Sequence, residues 1–158
     1  MQVATAAFAA YPPRMPASIS PRIAAFVNAL PLQEGFRVLE IGCGPGVAAR
    51  EVSRRIGTGF VLAIDRSEKA IALARAGSAS EIASGRLAFL QASIEQFQLP
   101  EGLDRFDCAF AMRVGALDGR YPDAEKLAIT RIMAALKPTG RLFIDGGNPL
   151  REIALHGA

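Results

Sequence analysis

Residues 38–46 run Val38-Leu39-Glu40-Ile41-Gly42-Cys43-Gly44-Pro45-Gly46, an apolar stretch that breaks into three glycines. Arg37–Cys43 reads as a short buried strand, and a helix is expected from about Val47. Glycines accept positive φ and let a ligand approach the backbone where a Cβ would intrude. The first turn of the following helix offers that ligand unpaired N–H groups and a partial positive charge. A dinucleotide loop, G-x-G-x-x-G, would need its third glycine at position 47, which is Val47; here it falls at Gly46. Glu40 adds a carboxylate at the strand end. That suits a ligand with a positive end better than a pyrophosphate.

Outward from this loop, strand and helix signals alternate. Ser20-Pro21 reads as an N-cap and first helical residue, with Ile23, Phe26, Val27 and Leu30 at helical spacing and Pro31 as the stop. Phe60–Asp65, Arg86–Ala92, Phe106–Met112 and Arg141–Asp145 read as further strands. Between them lie helices expected over Val47–Ile56, from a Ser67 cap to about Ala76, briefly over Ile94–Phe97, and from an Asp123 cap through Leu127, Ile129, Ile132, Met133 and Leu136. Continuous apolar strands alternating with helices imply a mostly parallel sheet covered on both faces. The fold class is α/β, doubly wound, with five strands. Its ligand belongs beyond the carboxyl ends of the strands.

The chain has 158 residues, 51% of them apolar and 21% charged. That fits one globular domain and excludes a disordered chain. Residues 1–158 form a single domain, with 1–19 an irregular N-terminal segment. No apolar run approaches the ~18–20 residues of a membrane span. Cys43 and Cys108 sit in strand-like runs, and His156 is the only histidine, so neither a disulfide scaffold nor a metal centre is expected. The formal charge is +3, and the arginines are scattered. No nucleic-acid partner is expected from that pattern. The N-terminus lacks the basic start of a signal peptide, which makes the cytoplasm the expected compartment.

On residues 38–46, Asp65, Phe106-Asp107 and Leu136-Lys137-Pro138-Thr139-Gly140-Arg141-Leu142, the chain resembles class I S-adenosylmethionine-dependent methyltransferases, over about residues 20–147. The resemblance implies strand order 3-2-1-4-5 and S-adenosylmethionine as cofactor. It gives Gly42, Gly44 and Gly46 to the methionine part and Glu40 to its ammonium, or to loop N–H groups only. Asp65, with two acceptor oxygens, suits the ribose diol. Arg66 replaces an apolar residue; it either stacks on the adenine or points to solvent. Ser93 stands where an acid often reads the adenine, and Ile94 either packs on the ring or belongs to the core. Met112 joins this cofactor-binding set. Tyr11 or Arg14 would close over the methionine end, unless that segment is a tail.

Methyl transfer from a sulfonium is an in-line displacement in which positioning dominates. After the fourth strand the chain reads Ala111-Met112-Arg113-Val114, without the Asp/Asn-Pro-Pro-aromatic run, the Pro-Cys pair or the metal-binding Asp that the resemblance would lead to in nucleic-acid and metal-dependent catechol enzymes. A metal-independent enzyme acting on a small molecule is the expectation. Arg113 is a candidate anchor for an anionic group, and Asp118 or Asp145 a candidate base; each is also readable as an ordinary loop residue. Two alternatives stand beside it: a cofactor-binding subunit that needs a partner chain, and an NAD-type oxidoreductase. A sheet ending at Arg141–Asp145 would leave a bare edge, which invites pairing. A homodimer through that edge or through the tail Leu150–Ala158 is therefore expected, against a monomer whose edge is covered by residues 1–17.

Overall fold

The computed structural model describes residues 19–155. Tyr11, Arg14 and His156 lie outside the described residues. One sheet carries six strands in the order β3-β2-β1-β4-β5-β6. They are β1 (Arg37–Ile41), β2 (Phe60–Asp65), β3 (Leu87–Gln91), β4 (Phe106–Ala111), β5 (Leu136–Asp145) and β6 (Leu150–Ile153). The first five are parallel, and β6 pairs antiparallel with β5. The helices are α1 (Pro21–Ala29), α2 (Val47–Arg55), α3 (Glu68–Ala76), α4 (Ala79–Ala83) and α5 (Pro122–Ala135).

Local chemistry sets most boundaries. Ser20 Oγ accepts from the Ile23 N–H (3.3 Å) and Ser67 Oγ from the Ala70 N–H (3.2 Å), so both expected caps are made. α5 starts differently: Tyr121 is its N-cap and Pro122 its first residue, leaving Asp123 in the first turn. There Asp123 faces the helix dipole instead of capping it. α5 buries Ala128, Ile132 and Ala135, while Leu127 is exposed. The small residues let the helix lie close to the sheet.

Strand alternation divides the core in two. Val38 faces α1, α2 and α3 with Phe26, Val52, Ile71 and Phe110. Leu39 and Ile41 face the other way, toward α5, with Ile64, Phe106, Ile132 and Leu142. The side-chain period of two therefore puts Glu40 on the α2 side, beneath the glycine turn.

The five-strand expectation is corrected by β6. Gly146 (φ +106°) and Gly147 turn the chain back. A Cβ on Gly147 would lie 2.1 Å from the Leu150 carbonyl oxygen, so only glycine fits there. Arg141 then meets Glu152 through two 2.8 Å hydrogen bonds across the pair. The edge of β5 that was expected to be bare is occupied by the chain's own β6.

At the opposite end of the sheet, Asp107 ties three strands. Its Oδ2 accepts from the Arg37 N–H and its Oδ1 from Lys137 Nζ, each at 2.8 Å. Burial pushes its carboxyl up, but the Arg37 N–H and the Lys137 ammonium outweigh that and hold it below the usual range. Asp107→Ala should cost about 1–2 kcal/mol of stability in urea unfolding at pH 7. Because the folded carboxyl is the stronger acid, the difference from wild type should shrink as pH falls through its titration. An equal loss at pH 7 and pH 3 would refute the ionic contribution.

Candidate functional site

Strand order reverses between β1 and β4, and the strand ends there part into a cleft. A cavity of about 590 Å³ opens at this point, lined by Gly42, Asp65, Arg66, Ser93, Ile94 and Arg113 among others. A second cavity, about 470 Å³, lies over the ends of β4 and β5. Arg113, Val114 and Arg120 form the wall common to both.

The glycine turn is built as the sequence requires. Gly42, Gly44 and Gly46 all have positive φ (+71°, +53° and +85°). Gly46 is the N-cap of α2 and supplies no side-chain cap, so N–H groups of the first turn stay open. A Cβ on Gly44 would meet nothing within 4 Å; the space above it is free. Gly42 is covered by Val114, whose Cγ2 would lie 2.6 Å from an added Cβ.

Asp65 holds this turn from β2. Its Oδ2 accepts from the Gly44 N–H and its Oδ1 from the Ser67 N–H, both at 2.9 Å. Glu40 is only 4% exposed, and its Oε2 is buried without a hydrogen-bond partner. Burial, then the nearby Asp65 charge, pushes its carboxyl up to about 8; Arg50 partly offsets them. Burial and the same two acids push the Cys43 thiol up as well, so it is no nucleophile at neutral pH.

The expected residues are therefore distributed as follows. Gly42, Asp65, Arg66, Ser93 and Ile94 come together around the first cavity. Arg66 is exposed there, and Ile94 is 4% exposed, packed in the α5-side core. Gly44, Gly46 and Glu40 form the turn and its underside. Met112 stands apart, in a recess of about 280 Å³ shared with Phe26 and Asp145 on the α1 side. Asp118 and Asp145 line the second cavity. Both are already engaged: Asp118 with Arg120 (2.7 Å), Asp145 with the Arg113 N–H (3.0 Å). Arg113 adopts φ +56°, a left-handed conformation costing about 1–3 kcal/mol for a non-glycine residue.

Sequence reasoning missed Arg120 and Arg151 in the cavity walls. Arg151 was hidden because β6 itself was unforeseen; Arg120 carries no local signal. Among the described residues no group of three or more His, Cys, Asp or Glu is placed to hold a metal, and no helix is long and apolar enough to cross a membrane.

Residues 38–140 match the family model described as a methyltransferase domain. The chain belongs to this methyltransferase domain family. The ubiquinone/menaquinone biosynthesis C-methyltransferase UbiE of Pseudomonas aeruginosa is 32% identical over 114 residues, covering 72% of this chain and 42% of that enzyme. Among solved structures, the [4+2]-cyclase SpnF is 29% identical with a TM-score of 0.62, over 77% of this chain and 42% of SpnF. A SAM-dependent methyltransferase from Thiobacillus denitrificans, solved with S-adenosyl-L-homocysteine, shares the fold at 21% identity and TM-score 0.61, over 79% of this chain and 48% of that one. The chain thus spans less than half the length of these relatives. The family model itself runs from β1 into β5.

Proposed function

We propose that the chain binds S-adenosylmethionine at the first cavity and passes its methyl group to a small molecule by metal-independent, in-line transfer. The observation that carries this is Glu40: a buried carboxyl with an oxygen lacking any partner, directly under a glycine turn with free space above Gly44. A buried polar atom left unpaired is costly, and a cationic ammonium brought to the turn relieves it. The donor set fits the rest of that group. Asp65 at the tip of β2 holds the ribose hydroxyls, Ser93 and Ile94 border the adenine, and the first turn of α2 offers N–H groups to the methionine carboxylate. When bound, S-adenosylmethionine supplies a methyl group made electrophilic by its sulfonium. The chain's own residues bind, orient and exclude water. Asp118 gives both oxygens to Arg120, whereas Asp145 holds the Arg113 N–H on Oδ1 and has only Arg22 at 3.9 Å from Oδ2. That leaves Asp145, and not Asp118, as the candidate base for an acceptor that arrives protonated.

Calorimetry with S-adenosylhomocysteine and with NAD tests the cofactor. Binding of NAD alone would replace methyl transfer with a dinucleotide reading. For assembly, a homodimer through the C-terminal tail now takes the form of β6 pairing with β6 across a two-fold axis. Arg151 and Glu152 make that edge charged and four residues short, which weakens it as a pairing surface. Light scattering at micromolar concentration should show a mass above 17 kDa rising with concentration; a constant monomer mass would remove the dimer.

A further inference from the structure

The second cavity holds more positive charge than its own acids consume. Arg113, Arg120 and Arg151 line it with Asp118 and Asp145. Asp118 is used up by Arg120, through the backbone N–H (3.1 Å) and Nε (2.7 Å). Asp145 gives Oδ1 to the Arg113 N–H (3.0 Å), and its Oδ2 lies 3.9 Å from Arg22 Nη1. Among the described residues, the guanidiniums of Arg113 and Arg151 meet no carboxylate and no other acceptor.

Their placement is constrained. Asp145 fixes the backbone of Arg113 in its left-handed conformation at the wall between the cavities. Arg151 arrives on β6 opposite Ile144. Its Nε lies 3.8 Å from where a Cβ of Gly146 would be, so the side chain folds over the turn at the cavity rim. The floor between them is apolar: Ala111, Leu117 and Ile144. Planar guanidiniums match oxyanions through paired N–H donors better than any other side chain.

We propose that Arg113 and Arg151 form an oxyanion subsite that holds a carboxylate or phosphate of the methyl acceptor, with the acceptor's apolar body on Ala111, Leu117 and Ile144. The proposal rests on the reading of the first cavity as the methyl donor's for its role, but not for its chemistry. An anionic small molecule is the substrate class it names.

Benzoate, phenyl phosphate and benzamide share a ring and differ in charge. Titrated into the isotope-labelled full chain and followed by amide chemical shifts, at least one of the two anions should bind about tenfold or more tighter than benzamide. The shifts should centre on residues 113, 146 and 151. Preference for benzoate assigns a carboxylate, and preference for phenyl phosphate assigns a phosphate. Arg113→Gly keeps the backbone, since glycine accepts φ +56° freely, and Arg151→Ala alters an exposed strand residue. Each should erase most of the anion preference. Equal binding of all three probes, shifts centred elsewhere, or an unchanged preference in either variant overturns the subsite. The same titration with S-adenosylhomocysteine separates the two readings. If it fails to bind while the anion preference holds, the methyl-donor reading falls and the subsite stands.

Discussion

The ligand-free protein should be about 3 kcal/mol less stable at pH 8.5 than at pH 5.5, and Glu40→Gln should abolish most of that difference. Glu40 titrates near 8 in the fold against 4.5 for the free side chain. Between those values the folded state keeps a proton that the unfolded chain has released. Stability therefore falls as pH rises through that window and levels off above it. One proton held across one pH unit is worth about 1.4 kcal/mol, and the window from pH 5.5 to 8 is about 2.5 pH units wide. Asp107, Glu81 and Glu152 have lowered values, so their contributions change at more acidic pH. Urea unfolding at the two pH values measures the difference. An equal pH dependence in Glu40→Gln would mean that Glu40 is already ionised in the fold. The same carboxyl should make S-adenosylhomocysteine binding release a proton near neutral pH. Affinity should then rise toward pH 8, which calorimetry in buffers of different ionisation enthalpy reads directly.

Asp65→Ala should weaken S-adenosylhomocysteine binding by about 1.5–3 kcal/mol, the range for hydrogen bonds to a charged group. That is roughly ten- to a hundredfold in dissociation constant. The loss has two sources. The ribose would lose its acceptors, and the turn would lose the 2.9 Å bond from the Gly44 N–H. Asp65→Asn keeps one carbonyl oxygen in place and should lose less than alanine does. Binding of the alanine variant as tight as wild type would remove Asp65 from the ribose site.

The parallel core was legible because each of its strands is a buried apolar run followed by a helix signal. Val38–Ile41, Phe60–Asp65 and Phe106–Ala111 leave little choice of element. The glycine turn was legible from its spacing alone, since Gly46 in place of a glycine at position 47 separates it from a dinucleotide loop. β6 was not legible. Four residues, two of them charged, carry no periodicity of their own, and only the Gly146-Gly147 turn and the Arg141–Glu152 pair put them in the sheet. Which face of α5 is buried was not legible either: Leu127 is exposed and its neighbour Ala128 is buried against the sheet. Arg151 could not be assigned to a cavity before the strand that carries it was known.

The bond between Asp65 and the Gly44 N–H also bears on time. The turn takes its shape before any ligand arrives, because a carboxylate from the neighbouring strand already fixes it. A nucleoside that finds the cavity therefore meets a finished surface and need not wait for a rare conformer. Encounter and capture merge into one event, with an observed rate that climbs in direct proportion to ligand concentration and shows no plateau. The length of stay, set by how fast those contacts break, is then where affinity is decided.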